Sequence, residues 1–278
     1  MSFKIVADSC CDLTSIQMSD PCFAKVPLSI HVGGRDFVDD ASLSQEELLC
    51  AMRDCPAAPS TACPSPQQYL DAFDCGADEI YVVCLSALLS GSHNSAELAR
   101  RLFLEEHPNV RIKVFNSCSA SAGEALLALK LRDLAQSGLS FDDVVAQAEA
   151  FIARMQTLFV LDSLENLRKN GRLTALQSLI TGTLRIKLLM GSTPTGEICK
   201  RGQALSMKQA LSKMTDLMAV DPHHAGQTLY LSHCNCLERA YALRDMVSRR
   251  CFFSRIVIGP TGGISTVYAN NGGIVCAY

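Results

Sequence analysis

The sequence predicts an α/β protein. Three short apolar runs, Phe3-Lys4-Ile5-Val6-Ala7, Asp78 to Leu85 and Val110 to Phe115, each break into a turn of small polar residues, as buried parallel strands do. Helical patterns with cap residues stand between them, at 44–53, 66–73 and 94–106. The chain has 278 residues, 48% hydrophobic and 19% charged, enough to bury one large or two smaller cores.

The first run ends in Asp8-Ser9-Cys10-Cys11-Asp12, and Ala24 to His31 reads as the next strand. Ser44 with Glu47 forms a capping box for the helix at 44–53. Ser65 is an N-cap, Pro66 suits the first helical position and Gln68 completes a second box, so Pro66 to Phe73 is helical and Thr61 lies just before a helix N-terminus. After the strand at 78–85, Ser86 to Ser92 is a loop. Asn94 to Glu106 is a helix with Ala96, Ala99, Leu102 and Phe103 on one face. The strand at 110–115 gives way to Asn116-Ser117-Cys118-Ser119, then to a helix at 120–136 closed by Gly138. Ser140, followed by Asp142 and Asp143, caps a further helix to about Met155. Beyond it, Leu158 to Leu161, Leu184 to Met190, Leu229 to Leu231, Arg255 to Ile258 and Ile274 to Ala277 read as strands. Helices are expected near 206–219 and 236–249, and Gly171 reads as a helix C-cap. The expectation is two α/β domains, 1–155 and 156–278.

Composition excludes several classes of function. The net charge is −3, and the basic pairs Arg100-Arg101 and Arg249-Arg250 read as solvated helix faces, so nucleic acid is not an expected partner. Met1 to Asp8 runs directly into a polar turn without a signal-like stretch, which predicts a cytoplasmic protein. The most apolar internal stretch, Leu176 to Met190, is interrupted by Arg185 and Lys187 and is too short to span a bilayer. Fourteen cysteines read as reduced, mostly buried small hydrophobes. Cys10-Cys11 and Cys234-Asn235-Cys236, with His223-His224, leave a thiol or soft-metal site as one alternative, although no second Cys/His pair stands at a usual spacing. No nucleotide-binding glycine fingerprint occurs, and Gly259-Pro260-Thr261-Gly262-Gly263 reads as a turn. The serine nucleophile elbow is also missing. A hydrolase or transferase using Ser90 or Ser92 with His93 is kept as an alternative enzyme reading.

Two hydroxyl-rich turns carry the sharper signal: Thr61-Ala62-Cys63-Pro64-Ser65-Pro66 and Leu89-Ser90-Gly91-Ser92-His93-Asn94-Ser95. Backbone N–H groups and the positive end of a helix favour a carboxylate or phosphate there, and hydroxyls add neutral hydrogen bonds. The chemistry is anion capture rather than bond cleavage. Asp8-Ser9, Ser86 with Ser90, and Asn116-Ser117 all follow strands, and ligands of open parallel sheets collect outside strand carboxyl ends, so these turns are expected to share one crevice. For any single one of these residues, the role of turn or cap former is as good an account as ligand contact.

The residues Lys4-Ile5-Val6-Ala7-Asp8-Ser9 with Asp12-Leu13, Val26-Pro27-Leu28, Thr61-Ala62-Cys63-Pro64-Ser65, Leu89-Ser90-Gly91-Ser92 with Asn94-Ser95-Ala96, and Asn170-Gly171-Arg172 together resemble the DegV family over nearly the whole chain. Characterised members of that family are fatty-acid-binding subunits of a bacterial fatty-acid kinase. The resemblance implies two α/β domains with a long-chain fatty acid buried between them, Thr61 and Ser90 on the carboxylate, and no resident cofactor. It also implies a separate ATP-dependent kinase as partner, so the chain itself is expected to be a non-catalytic subunit. Ser92, Arg172, Arg201 and Asn270 are further candidates for ligand or partner contact. Leu176, Leu179, Ile180, Leu184, Ile186 and Leu188 are candidates for the tunnel wall, and a monomer is expected. The chain departs from the family where a His-Thr-Gly-Pro-Gly motif is usual: it carries Thr266-Val267-Tyr268-Ala269-Asn270-Asn271-Gly272-Gly273, so a histidine is missing and Asn270, Asn271 or Tyr268 is left to supply a neutral donor. A diverged binder of another small anion is the remaining alternative.

Overall fold

The computed structural model describes residues 2–173 and 186–278. The first half runs β1 (Phe3–Asp8), α1 (Ser15–Met18), β2 (Phe23–Val26), β3 (Ser29–Val32), β4 (Arg35–Val38), α2 (Gln45–Asp54), β5 (Ser60–Ala62), α3 (Pro66–Phe73), β6 (Glu79–Cys84), α4 (Ser92–Glu106), β7 (Arg111–Asn116), α5 (Ala122–Gln136) and α6 (Phe141–Ile152). The second half continues with β8 (Thr157–Val160), α7 (Glu165–Lys169), β9 (Lys187–Ser192), β10 (Ile198–Ala204), α8 (Met207–Val220), β11 (Thr228–His233), α9 (Leu237–Ser248), β12 (Arg255–Pro260), α10 (Gly263–Ala269) and β13 (Ile274–Ala277).

The architecture is mixed α/β. A parallel sheet of order β2-β1-β6-β7 and a small antiparallel sheet of order β4-β3-β5 draw only on the first half of the chain. A six-stranded sheet of order β10-β9-β8-β13-β11-β12 draws only on the second. In that sheet only β11 and β12 run parallel, so it is more antiparallel than the sequence suggested. Helix α5 lies between the two large sheets, touching β1 and β6 on one side and β11 and β13 on the other. That placement explains its apolar first three turns, because a helix walled on both sides buries more than one face: Ala122, Ala125, Leu127, Ala128 and Leu131 are all fully buried.

Caps form at Ser44, Ser65 and Ser140, although the box expected at Ser44 closes only on the serine side, the Glu47 carboxylate pairing with Arg35 instead. Ser65 accepts from the Gln68 amide while Gln68 accepts from the Ser65 amide, and Ser44 and Ser140 accept from the third amide of α2 and α6. Several elements differ from the sequence reading. The strand expected over Ala24 to His31 is split, because Pro27 donates no N–H, and β3 leaves the parallel sheet for the small antiparallel one. The predicted strand at 184–190 is β9, three residues later. The segment at 259–263 is no turn: β12 runs through Pro260 and α10 begins at Gly263. β4, β5 and β10 were unforeseen; they are short or polar edge strands whose period-two pattern is weak. No helix among the described residues is long and apolar enough to cross a membrane.

Candidate functional site

The polar turns at the carboxyl ends of β1, β6 and β7 do converge, and most of their polar side chains hold the turns together. Asp8 is fully buried and accepts from the amides of Cys10 and Leu85 at 3.1 and 3.0 Å and from the Ser92 hydroxyl at 2.6 Å. Ser9 accepts from the Leu28 amide at 3.0 Å. Asn116 accepts from the amides of Ala87 and Cys118, both at 3.1 Å. Two further carboxylates reach across to the second half: Asp12 accepts from the Gly262 amide at 2.8 Å, and Asp39 from the amides of Gly263 and Ile264 at 2.7 and 2.9 Å. The glycine-rich start of α10 is thus an anion site filled by the protein's own aspartates. Burial, the largest cause, raises the pKa of Asp8, Asp12 and Asp39 despite these bonds, and pushes Glu124 well up, with the Asp8 charge adding to it.

Above this scaffold lies a slender cavity, with about 110 Å³ open to the centre of a water molecule. Its wall is mainly apolar: Leu28 and Leu85 from the first half meet Phe159, Leu161, Ile264 and Val275 from the second. The β9–β10 hairpin closes one side. Gly196, at φ +91°, accepts from the Ser86 hydroxyl at 2.8 Å, and an added Cβ would stand 2.9 Å from the Cys118 Cα, so only glycine fits.

Four polar side chains meet on this cavity's wall. Thr61, on β5, and Tyr268, on α10, share a hydrogen bond of 2.7 Å between their hydroxyls. The Arg172 guanidinium stands 5.4 Å over the Tyr268 ring, with its Nε donating to the Leu89 carbonyl at 3.2 Å and Nη1 to the Asn170 carbonyl at 2.7 Å. Ser90 accepts from the Ser92 amide at 3.3 Å. All four are half-buried, so this end of the cavity lies close to the surface. Burial raises the Tyr268 pKa, which keeps its phenol a hydroxyl and therefore a donor.

The site residues expected from sequence separate accordingly. Thr61, Ser90 and Arg172 come together, although Thr61 sits on an edge strand rather than at the start of α3, whose amides Ser65 caps. Ser92 is corrected: it is fully buried, its hydroxyl donating to Asp8 and bonded to Tyr69 at 2.7 Å, and it does not line the cavity. Asn270 does not line the cavity either: it accepts from Asn166 at 3.0 Å and opens onto a different, polar cleft. Arg201 lies outside the cavity, exposed and packed on Gly191, donating to the Ser192 carbonyl at 2.7 Å. Of the expected tunnel wall, Leu176, Leu179, Ile180 and Leu184 lie outside the described residues; Ile186 is exposed and Leu188 packs on the core. Tyr268, raised in the sequence only as one of three substitutes, is the one that reaches the site.

The alternative chemistries have no assembled group. Among the described residues no hydrogen bond joins His93 to Ser90 or Ser92, and the Ser92 proton already goes to Asp8. Cys10 lines the cavity, but burial and the charges of Glu124, Asp8 and Asp12 push its thiol well up, which suppresses the thiolate. Cys236 donates to the Gly273 carbonyl, and no set of three or more His, Cys, Asp or Glu side chains among the described residues could hold a metal.

Known proteins share this fold. The sequence model of the DegV family, described as an uncharacterised protein family, matches residues 2–278. A DegV domain-containing protein of Streptococcus gordonii is 38% identical over 280 residues, covering 100% of this chain and 99% of the relative. A solved DegV-family structure from Ruminococcus gnavus, refined with vaccenic acid, is 46% identical with a TM-score of 0.97, covering 100% of both chains. The Streptococcus pneumoniae Fatty Acid Kinase (Fak) B3 protein, loaded with linoleic acid, is 37% identical with a TM-score of 0.92, covering 100% of this chain and 99% of its own. With sequence matched end to end and the fold reproduced, the chain belongs to the DegV family.

Proposed function

We propose that the chain is a fatty-acid-binding protein that buries an acyl chain between an N-terminal domain, 1–155, and a C-terminal domain, 156–278. The observation that carries this reading is the cavity itself, an apolar passage whose wall comes from both halves and which gathers Thr61, Ser90, Arg172 and Tyr268 on one stretch of its lining. An amphiphile with one carboxylate and a long apolar tail matches such a lining. The fatty acids in the Ruminococcus gnavus and Streptococcus pneumoniae relatives support the same ligand class.

A half-buried carboxylate is open to a second protein. The reading therefore extends to presentation of the bound carboxylate to a separate ATP-dependent kinase, where one carboxylate oxygen attacks the γ-phosphorus, the bond to ADP breaks and an acyl phosphate forms. In that scheme the chain supplies position and charge compensation and remains non-catalytic. Fourteen unpaired thiols fit a reducing cytoplasm, and a monomer is the expected carrier.

Native mass spectrometry of purified protein, followed by organic extraction, tests the reading: one long-chain fatty acid per chain is expected. Protein that is empty and takes up no added fatty acid would overturn it. Thr61→Ala is expected to weaken fatty-acid binding by about 1–3 kcal/mol, by leaving a partly buried carboxylate short of a donor; titration with a fluorescent fatty acid measures this.

A further inference from the structure

At the end of the cavity beside Arg172 the hydroxyls can be counted as donors. Thr61, Tyr268 and Ser90 hold three hydroxyl protons between them. One is engaged in the 2.7 Å bond between Thr61 and Tyr268, whichever of the two donates. Ser90 accepts from the Ser92 amide, which leaves its own proton without an acceptor among the described residues. Two protons are left over, and a carboxylate has two oxygens.

The direction of the shared bond follows from acidity. A phenol, with an ordinary pKa of about 10, is a stronger donor than an aliphatic alcohol, so Tyr268 donates to Thr61 and polarises the threonine O–H that remains. Arg172 over the Tyr268 ring favours the same direction, because a cation on the ring face draws electron density from the phenol oxygen. Thr61 is also fixed from behind, since β5 pairs with β3 through Ile30 and Thr61. We infer that Tyr268 is a carboxylate-reading residue: its hydroxyl orients and strengthens the Thr61 donor, so that Thr61 and Ser90 each supply one proton to the two oxygens of a fatty carboxylate. This assignment rests on the fatty-acid reading above.

A consequence separates Tyr268 from ordinary wall residues. It acts on the headgroup alone, so its loss should leave recognition of the tail untouched. Tyr268→Phe keeps the ring under Arg172 and removes only the oxygen. Measured by titration calorimetry with oleic acid and oleyl alcohol, Tyr268→Phe is expected to weaken binding of the acid by about tenfold, in the range of one hydrogen bond to a charged group, and to leave the alcohol within about twofold. With [1-13C]oleic acid, the NMR titration of the bound carboxyl should move to higher pH in Tyr268→Phe, because the ionised form loses stabilisation. A purely structural role changes neither the acid-to-alcohol ratio nor that titration.

Equal weakening of acid and alcohol, or no change in either, overturns the role of Tyr268. Thr61→Val, assayed alongside, keeps that failure distinct from a failure of the site itself. If Thr61→Val weakens the acid and Tyr268→Phe does not, Tyr268 is a bystander at a real carboxylate site. If neither variant matters while wild type binds oleic acid, the carboxylate lies elsewhere and the assignment falls. If wild type binds no oleic acid, the fatty-acid reading falls with it. Should Tyr268→Phe fail to fold, 3-fluorotyrosine placed at 268 decides: it keeps the ring and the hydroxyl but makes the phenol a stronger donor, so the acid-to-alcohol ratio is expected to rise, and an unchanged ratio overturns the role of Tyr268.

Discussion

Ser92 and Ser90 stand two residues apart in one turn and do opposite things. The Ser92 hydroxyl is fully buried and held between Asp8 and Tyr69, with no access to the cavity. Ser90 is half-buried, accepts one weak bond from an amide and keeps its proton. The same contrast divides the whole site. Asp8, Ser9 and Asn116 have their bonding filled by amides, whereas the Thr61–Tyr268 pair and Ser90 have one donor each left over. A polar residue at a strand end therefore says little until its partners are counted; only protons that the fold leaves unused are available to a ligand.

The largest effect should come from the filled side. Asp8→Ala strands two buried amides and a buried hydroxyl, and is expected to cost about 3–4 kcal/mol of stability by urea denaturation. A loss below about 1 kcal/mol would mean that water or a neighbour replaces the carboxylate, and the scaffold role would be wrong.

The serine pair gives a crossed test of intermediate size. Ser92→Ala is expected to lower stability by about 1–2 kcal/mol and to leave fatty-acid affinity unchanged in the folded protein. Ser90→Ala is expected to do the reverse, weakening oleic acid about tenfold with stability within about 0.5 kcal/mol of wild type. Should both variants lose stability alone, Ser90 belongs to the scaffold too.

The last test concerns Glu124, whose carboxyl is fully buried beside Asp8 and Cys10. Its folded pKa is raised well above the ordinary value of 4.5, by burial first and by Asp8 second. A raised pKa means that the folded protein holds the proton more tightly than the unfolded chain does. The stability linked to this group is full below the ordinary value and falls as pH rises towards the folded pKa. Glu124→Gln carries no such proton. It should match wild type near pH 4 and become progressively the more stable of the two on going to about pH 9. Parallel stability curves across that range would show that Glu124 does not titrate differently in the two states.

Much of the frame was legible from local chemistry. The capping box at Ser65 and Gln68 placed α3 to the residue, and the runs at 3–7, 78–85 and 110–115 placed three strands of the parallel sheet to within a residue at each end, because caps and buried strands are written in neighbouring residues. The family resemblance singled out Thr61, Ser90 and Arg172 as candidates, and all three line one cavity. Their convergence was not legible: Thr61 meets Tyr268 across 207 positions of sequence. The turn expected at 259–263 hid α10, since glycines normally favour turns, and only the distant Asp12 and Asp39 carboxylates make a helix start there. That Ser92 and Asn270 stay off the cavity wall was hidden for the same reason, as their partners Tyr69 and Asn166 are not sequence neighbours.

By itself the sequence determined the element types, the α/β class and the presence of two hydroxyl-rich turns, all set by interactions within a few residues. Tertiary structure alone decided which hydroxyls keep a proton for a ligand. That outcome depends on whether a second group, tens or hundreds of residues away, arrives within about 3 Å to accept it.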